Sequence, residues 1–243
     1  MTEQKNTVGG ISFIMPAYNE EECIEAAVTE AHKAVKEITD TFEIVIVDDG
    51  SADRTPELLA GLSAKFPELR IVRHNKNIGY GAALRSGFTA AKMPLVFYTD
   101  SDCQFDPREI PALLPFIGDN DIVAGYRIRR KDNLLRFLVS RSYNLMIRTL
   151  FGVRVRDINC AFKMFRREVF DVLKIESDQF FVTAEIFAKA RRLGLSVREV
   201  GVNHFPRRAG RPTVHPADIP RTLKEILQVR SSVKNCRANK HER

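Results

Sequence analysis

Short β-branched apolar runs alternate along the first half of the chain with stretches whose apolar residues recur every three or four positions. That is the pattern of a parallel sheet covered by crossover helices. Residues 11–15, 42–47, 69–73, 95–99 and 121–124 predict strands, and residues 20–36, 55–65 and 80–91 predict the helices between them. Asn19 is the expected N-cap of the first helix, with Glu20, Glu21 and Glu22 in its first turn at the positive end of the dipole. In such a sheet the loops that follow the strands gather at one edge, so candidate chemistry is sought just after each apolar run.

Beyond Arg127 the pattern changes. Residues 134–151 form a long helical stretch interrupted by Arg136, Arg141 and Arg148; residues 160–165 predict a strand, 183–193 a helix and 196–202 a last strand. The segment 203–220, rich in Pro, Arg and Gly, predicts an irregular loop. The tail beyond it is basic, with Leu223, Ile226, Leu227 and Val233 on one helical face. The expected organisation is an α/β domain over residues 10–220, preceded by a flexible N-terminus (1–9) and followed by a basic amphipathic tail (221–243).

A length of 243 residues with 44% hydrophobic content suits one large core. The net charge of +7 suits anionic partners such as nucleotide diphosphates or lipid headgroups. It does not by itself distinguish them from nucleic acid, but no nucleic-acid recognition motif accompanies it. The four cysteines form no C-x-x-C pair, so neither a disulfide framework nor a zinc site is expected. No signal-peptide pattern occupies the first ten residues, and no apolar run approaches the roughly 18 residues that span a bilayer. The expectation is a cytoplasmic protein, soluble or peripheral to a membrane.

Two acidic turns carry the most chemistry. Tyr98-Thr99-Asp100-Ser101-Asp102 ends a strand with two carboxylates separated by one small residue, a spacing that lets hard oxygen ligands share a Mg²⁺ or Mn²⁺ with a diphosphate; a solvated turn is the plain alternative. Val47-Asp48-Asp49-Gly50-Ser51 ends an earlier strand, where a carboxylate can accept hydrogen bonds from a base or ribose, or Ser51 and Asp53 can simply open the next helix. Gly79 and Gly81 begin a glycine turn, but Leu84 stands where a dinucleotide fingerprint needs its third glycine. Close backbone packing and ligand contact remain equal readings there.

Taken in order, Pro16-Ala17-Tyr18-Asn19-Glu20, Val47-Asp48-Asp49-Gly50-Ser51, Asn77-x-Gly79-x-Gly81, Asp100-x-Asp102-x-Gln104 and Gly125-Tyr126-Arg127 resemble family-2 glycosyltransferases, above all the dolichol-phosphate or polyprenyl-phosphate mannosyltransferase branch. The resemblance covers roughly residues 10–212. It implies a GT-A fold and an inverting transfer of a sugar, with mannose from GDP-mannose the favoured donor and a polyprenyl or dolichyl phosphate the favoured acceptor. It places Pro16, Tyr18, Glu20, Asp48 and Asp49 at the nucleotide, with Gly79, Asp100, Ser101 and Gln104 completing the donor site. Asp100, Asp102 and Gln104 would hold the metal, and Arg127 and Arg141 would meet the acceptor phosphate. Asp102, Arg127 and Arg207 are the expected catalytic groups.

Two departures from the family pattern stand out. The late motif R-x-x-G-x-S-K is replaced by Arg207-Arg208-Ala209-Gly210-Arg211-Pro212-Thr213, so a cation for the diphosphate must come from Arg207, Arg208 or Arg211. The Glu-Asp that supplies a base in hydroxyl-glycosylating relatives is replaced by Val182-Thr183, which favours an acceptor that is already anionic, with Asp178 as a rival base. A hydroxyl acceptor in polysaccharide or glycan synthesis is the alternative. In the mannosyltransferase relatives the stretch corresponding to 133–151 is a membrane-interface helix, which places the protein at the cytosolic face of a membrane; packing on the domain core is the competing reading for that helix. His204 in the late loop reads equally as a structural residue.

Overall fold

The computed structural model describes residues 9–128, 134–207 and 218–236, the side chains of 134–141 and 218–224 excepted. A seven-stranded sheet runs through it in the order β3-β2-β1-β4-β6-β5-β7. Its strands are β1 (Ile11–Ala17), β2 (Phe42–Asp48), β3 (Leu69–Arg73), β4 (Leu95–Thr99), β5 (Ile122–Arg127), β6 (Phe162–Arg166) and β7 (Val197–Val202). The neighbours β1–β2, β1–β4, β2–β3 and β5–β7 pair in parallel. The exception is β6, antiparallel to both β4 and β5. Two antiparallel steps restore direction, so β5 points the same way as β4 and their C-terminal ends share one edge.

Every residue of β1 and β2 is buried, because helices cover both faces of a parallel sheet. The edge strand β3 instead alternates, with only Leu69 fully buried. Helix α3 (Tyr80–Ala90) packs on β1 and β2, while α1 (Ile24–Ile38) packs on α2 (Thr55–Lys65) and on the 3₁₀ turn Pro107–Ala112. Short helices α4 (Leu114–Ile117) and α6 (Val169–Val172) fill connections, and α5 (Leu134–Phe151) follows β5. Near the end of the chain α7 (Val182–Leu193) packs on α8 (Asp218–Asn235), which buries Ile226, Val229 and Val233 and leaves Leu227 exposed.

Two expected boundaries move, for identifiable reasons. The first helix begins at Ile24, not Glu20, and Asn19 is not its N-cap: it sits at φ 55°. The loop is instead tied to the start of α2. Asn19 Oδ1 accepts from Ala52 N, Glu20 N donates to Thr55 Oγ1 and Glu21 N donates to Asp53 Oδ2. These bonds satisfy the backbone outside a helix, and Glu20 is released toward the sheet edge. The strand expected at 160–165 begins at Phe162, because Cys160 N closes a turn on Asp157 O.

Candidate active site

The parallel register aligns Ala17 with Asp48 and Ile14 with Tyr98, so the loops after β1, β2 and β4 emerge side by side. Ser101 Oγ donates to Pro16 O at 2.8 Å, and Asp49 N donates to Ala17 O at 2.9 Å. The loops after β2 and β4 are thereby fastened to the end of β1. Arg127 closes β5 at the same edge.

Asp100 and Asp102 stand at the mouth of β4. Burial, and then the charge of Asp102, raise Asp100 to about 7, against the opposing influence of the Tyr80 hydroxyl and Lys163. Tyr80 Oη donates to Asp100 Oδ1 at 2.8 Å, and Gln104 N donates to Asp102 Oδ1 at 3.1 Å. Two carboxylates that resist carrying charge together form a suitable seat for a divalent cation. Among the described residues no cluster of three His, Cys, Asp or Glu side chains could hold an ion alone. The pair supplies two hard oxygen ligands, fewer than a protein cage needs.

The late loop reaches this edge. Phe205 N donates to Gln104 O at 2.9 Å and Gln104 Nε2 donates to Phe205 O at 3.1 Å, a two-bond clasp that leaves the Gln104 carboxamide oxygen as the end able to meet a cation. Two residues on, Arg207 Nη2 donates to Glu20 Oε1 at 2.5 Å. Burial raises the Glu20 carboxyl, and the Arg207 hydrogen bond and charge oppose that rise. The second oxygen, Glu20 Oε2, is buried with no hydrogen-bond partner among the described residues. His204 packs edge-on against Phe105, 5.2 Å between ring centres.

Asp48 is fully buried at the end of β2. Its Oδ1 accepts from Ser51 N at 2.9 Å; Arg73 Nε lies 3.3 Å from Oδ2, which nonetheless has no hydrogen-bond partner among the described residues. Asp49 turns inward instead. Its carboxylate accepts from Ile78 N, Gly79 N and His74 Nδ1, and so shapes the glycine turn. Gly79 has φ 114°, and a Cβ there would lie 2.3 Å from Asp178 O, while one at Gly81 would lie 2.4 Å from Ser177 O. The glycines permit close approach of the 177–179 segment. Tyr18 is half-buried on the loop between these groups.

On the other flank Arg127 makes a bidentate pair with Asp157, Nε to Oδ2 at 2.6 Å and Nη2 to Oδ1 at 2.8 Å. Asp157 has no local signal in the sequence, since it belongs to an irregular loop between α5 and β6. The Arg141 side chain and residues 208–217, including Arg208 and Arg211, lie outside the described residues. At the start of α7, Thr183 Oγ1 donates to Asn159 Oδ1. Glu185 is fully buried, pairs with Lys189 at 2.7 Å and accepts from Glu176 N and Ser177 N. Asp178 is exposed and pairs with Arg85 at 2.6 Å.

Sequence reasoning also passed over Lys163 and the role of Tyr80. Lys163 is a fully buried cation in β6, and burial lowers it to about 8. A lone lysine inside Ala161-Phe162-Lys163-Met164-Phe165 was the available signal.

Residues 12–174 match Glycosyl transferase family 2, and the chain belongs to that family. Its sheet and flanking helices are the GT-A arrangement. Among curated relatives, the undecaprenyl-phosphate 4-deoxy-4-formamido-L-arabinose transferase of Pectobacterium carotovorum is 36% identical over 165 residues, 67% of this chain and 50% of that protein. The Yersinia pestis protein of the same name is 32% identical over 204 residues, 82% of this chain and 61% of that protein. The chain thus spans between half and about three-fifths of these relatives. Among solved structures, the glucosyl-3-phosphoglycerate synthase of Mycobacterium tuberculosis in complex with Mn²⁺, UDP and glucosyl-3-phosphoglycerate superposes with TM-score 0.71. It is 24% identical, and the match covers 92% of this chain and 80% of that one.

Proposed function

We propose that this chain carries out an inverting, metal-dependent transfer of a sugar from a nucleoside diphosphate donor to a polyprenyl phosphate. The observation that carries the reading is the convergence at one sheet edge of Asp100, Asp102, the Gln104 clasp and the Glu20–Arg207 pair. Carboxylates and a guanidinium within one crevice suit a pyrophosphate that arrives with a divalent cation. Asp100, Asp102 and the Gln104 oxygen would hold Mg²⁺ or Mn²⁺, which neutralises charge on the departing diphosphate. Arg207 is placed to exchange Glu20 for a diphosphate oxygen, a charge-assisted bond of the same kind. Asp48 Oδ2 and Glu20 Oε2, which lack a hydrogen bond among the described residues, offer acceptors to the nucleoside, beside Pro16 and Tyr18. Asp49, Gly79 and Ser101 would support the donor site by holding its loops in place.

The acceptor follows from what the start of α7 lacks. Val182 and Thr183 occupy the position of the family's base, Glu185 is committed to Lys189, and Asp178 to Arg85. A phosphate monoester has a second pKa of about 6 and is already an anionic nucleophile at neutral pH, so it needs no such base. Arg127, oriented by Asp157, is the group offered to that phosphate, with Arg141 on the following helix as its companion. The names of the relatives favour an undecaprenyl carrier. For the donor, the solved neighbour's UDP makes a uridine diphosphate sugar the first to be tried, ahead of the GDP-mannose that the sequence resemblance favours.

No helix among the described residues is long and apolar enough to cross a membrane. In α5, Ile147 is buried while Leu145 and Leu150 are exposed, which suits a helix that both packs on the domain and touches the headgroup layer at the cytosolic face. The test is direct. The protein is incubated with Mn²⁺, radiolabelled nucleotide sugars and a short polyprenyl phosphate, and label entering the organic phase identifies donor and acceptor together. Transfer that depends on Asp178, lost in Asp178→Asn, would instead favour the hydroxyl-acceptor reading.

A further inference from the structure

Segment 176–179, just before α7, has its amide N–H groups answered by two glutamates from different helices. Glu185 of α7 accepts from Glu176 N at 2.9 Å and from Ser177 N at 2.8 Å. Glu225 of α8 accepts from Asp178 N at 3.1 Å and from Gln179 N at 2.9 Å, both through Oε1. A second tie to α8 runs from Ser232 Oγ, which donates to Glu176 Oε1. Amide bonds to a carboxylate are of the charge-assisted kind, so they hold the backbone to one course. That course supports the glycine turn. Ala82 N donates to Asp178 O at 3.1 Å, Gln179 Nε2 donates to Ile78 O at 3.3 Å, and a Cβ at Gly79 or Gly81 would collide with the segment. The next residue, Phe180, stacks on Tyr80 with 5.6 Å between ring centres, and Tyr80 Oη donates to Asp100 Oδ1 at 2.8 Å. Each step from α8 to the acidic pair is therefore a hydrogen bond, a peptide bond or a ring stack.

We propose that Glu225 is a positioning residue for the donor site: from α8 it fixes residues 178–180, these set the Tyr80 ring, and Tyr80 holds Asp100 by Oδ1 with Oδ2 offered to the divalent cation. The helix near the end of the chain, whose composition reads as a basic tail, thereby belongs to the support of the acidic pair. Glu225 acts through the 178–180 backbone and Tyr80, not by touching Asp100. Groups that orient a metal-bound carboxylate typically matter about 10- to 100-fold in metal affinity.

The inference rests on the metal reading of Asp100 and Asp102, and the experiment separates the two. Free Mn²⁺ is measured by electron paramagnetic resonance as the full chain is titrated in UDP or GDP, whichever the unaltered protein binds. Glu225→Met is expected to raise the half-saturating Mn²⁺ about tenfold. Tyr80→Phe gives a shift of at least that size, and adding Glu225→Met to it changes little further, because both act through one contact. Val229→Ala, which opens a cavity at another buried position of α8, lowers the thermal midpoint yet leaves Mn²⁺ uptake unchanged, a contrast that a purely structural role for α8 would not produce. Should Glu225→Met fail to fold, Phe180→Leu takes its place, since it removes the ring stacked on Tyr80. Unaltered Mn²⁺ uptake in these variants, a shift that stays additive with Tyr80→Phe, or an equal shift in Val229→Ala overturns the inference and leaves the metal reading intact. No Mn²⁺ uptake by the unaltered chain overturns both.

Discussion

Replacing Asp157 by Asn removes the negative charge from the bidentate Arg127–Asp157 pair. The two side chains are only 12% and 7% exposed, so water can do little to compensate. Breaking a buried pair by removing one partner costs about 3 to 5 kcal/mol, and because Asn keeps its shape and one acceptor the lower end applies. For a chain of this size each kcal/mol moves the melting temperature by roughly 2–4 °C, so Asp157→Asn should melt about 6–12 °C lower. Calorimetry and urea titration measure this, and the double variant Arg127→Met/Asp157→Leu should recover much of the loss, since it removes both charges of the pair. The proposed acceptor role adds a second signature: the KM for polyprenyl phosphate rises while nucleotide binding is unchanged. A loss under about 1 kcal/mol, the range of solvent-exposed pairs, would refute the claim that this pair is a buried positioning unit.

Gly79→Ala should destabilise the fold by about 2 kcal/mol or more, because φ 114° is strained for alanine and the new Cβ meets Asp178 O; denaturant titration reads it. Arg207→Met should lower kcat about a hundredfold or more in a transfer assay, with Asp157–Arg127 stability unaffected, if Arg207 carries diphosphate charge. Metal uptake should depend on pH with a fixed sign. Asp100, raised from 3.8 to about 7 by burial and by Asp102, holds a proton below that value, so the Mn²⁺ needed for half-saturation rises as pH falls through 7. By linkage, this raised group stabilises the metal-free fold at low pH and that contribution is lost as pH rises through 7. Added Mn²⁺ should therefore raise the melting temperature more at pH 8 than at pH 6.

The strand runs and both acidic turns were legible because a parallel sheet writes its buried strands as continuous apolar stretches and its chemistry at their ends. Arg207 was legible as one of three candidates, and the structure brings it to Glu20. What escaped depended on contacts distant in sequence. Glu20 reads as a helix's first turn until the loop at 51–55 claims its backbone. Asp49 looks like a twin of Asp48, yet the three donors at 74–79 turn it inward. The antiparallel insertion of β6 has no mark in its own composition, and it alone brings Lys163 opposite Tyr98. Asp157 matters only because β5 ends beside it.

Asp100 and Asp102 are proposed to bind a divalent cation together with a nucleoside diphosphate. Calorimetric titration of UDP and GDP, with and without Mn²⁺, into the unaltered chain and Asp102→Ala tests it most directly. Mn²⁺ should tighten binding of one nucleotide in the unaltered chain and have no such effect in Asp102→Ala. Binding that ignores Mn²⁺, or that Asp102→Ala leaves unchanged, contradicts it.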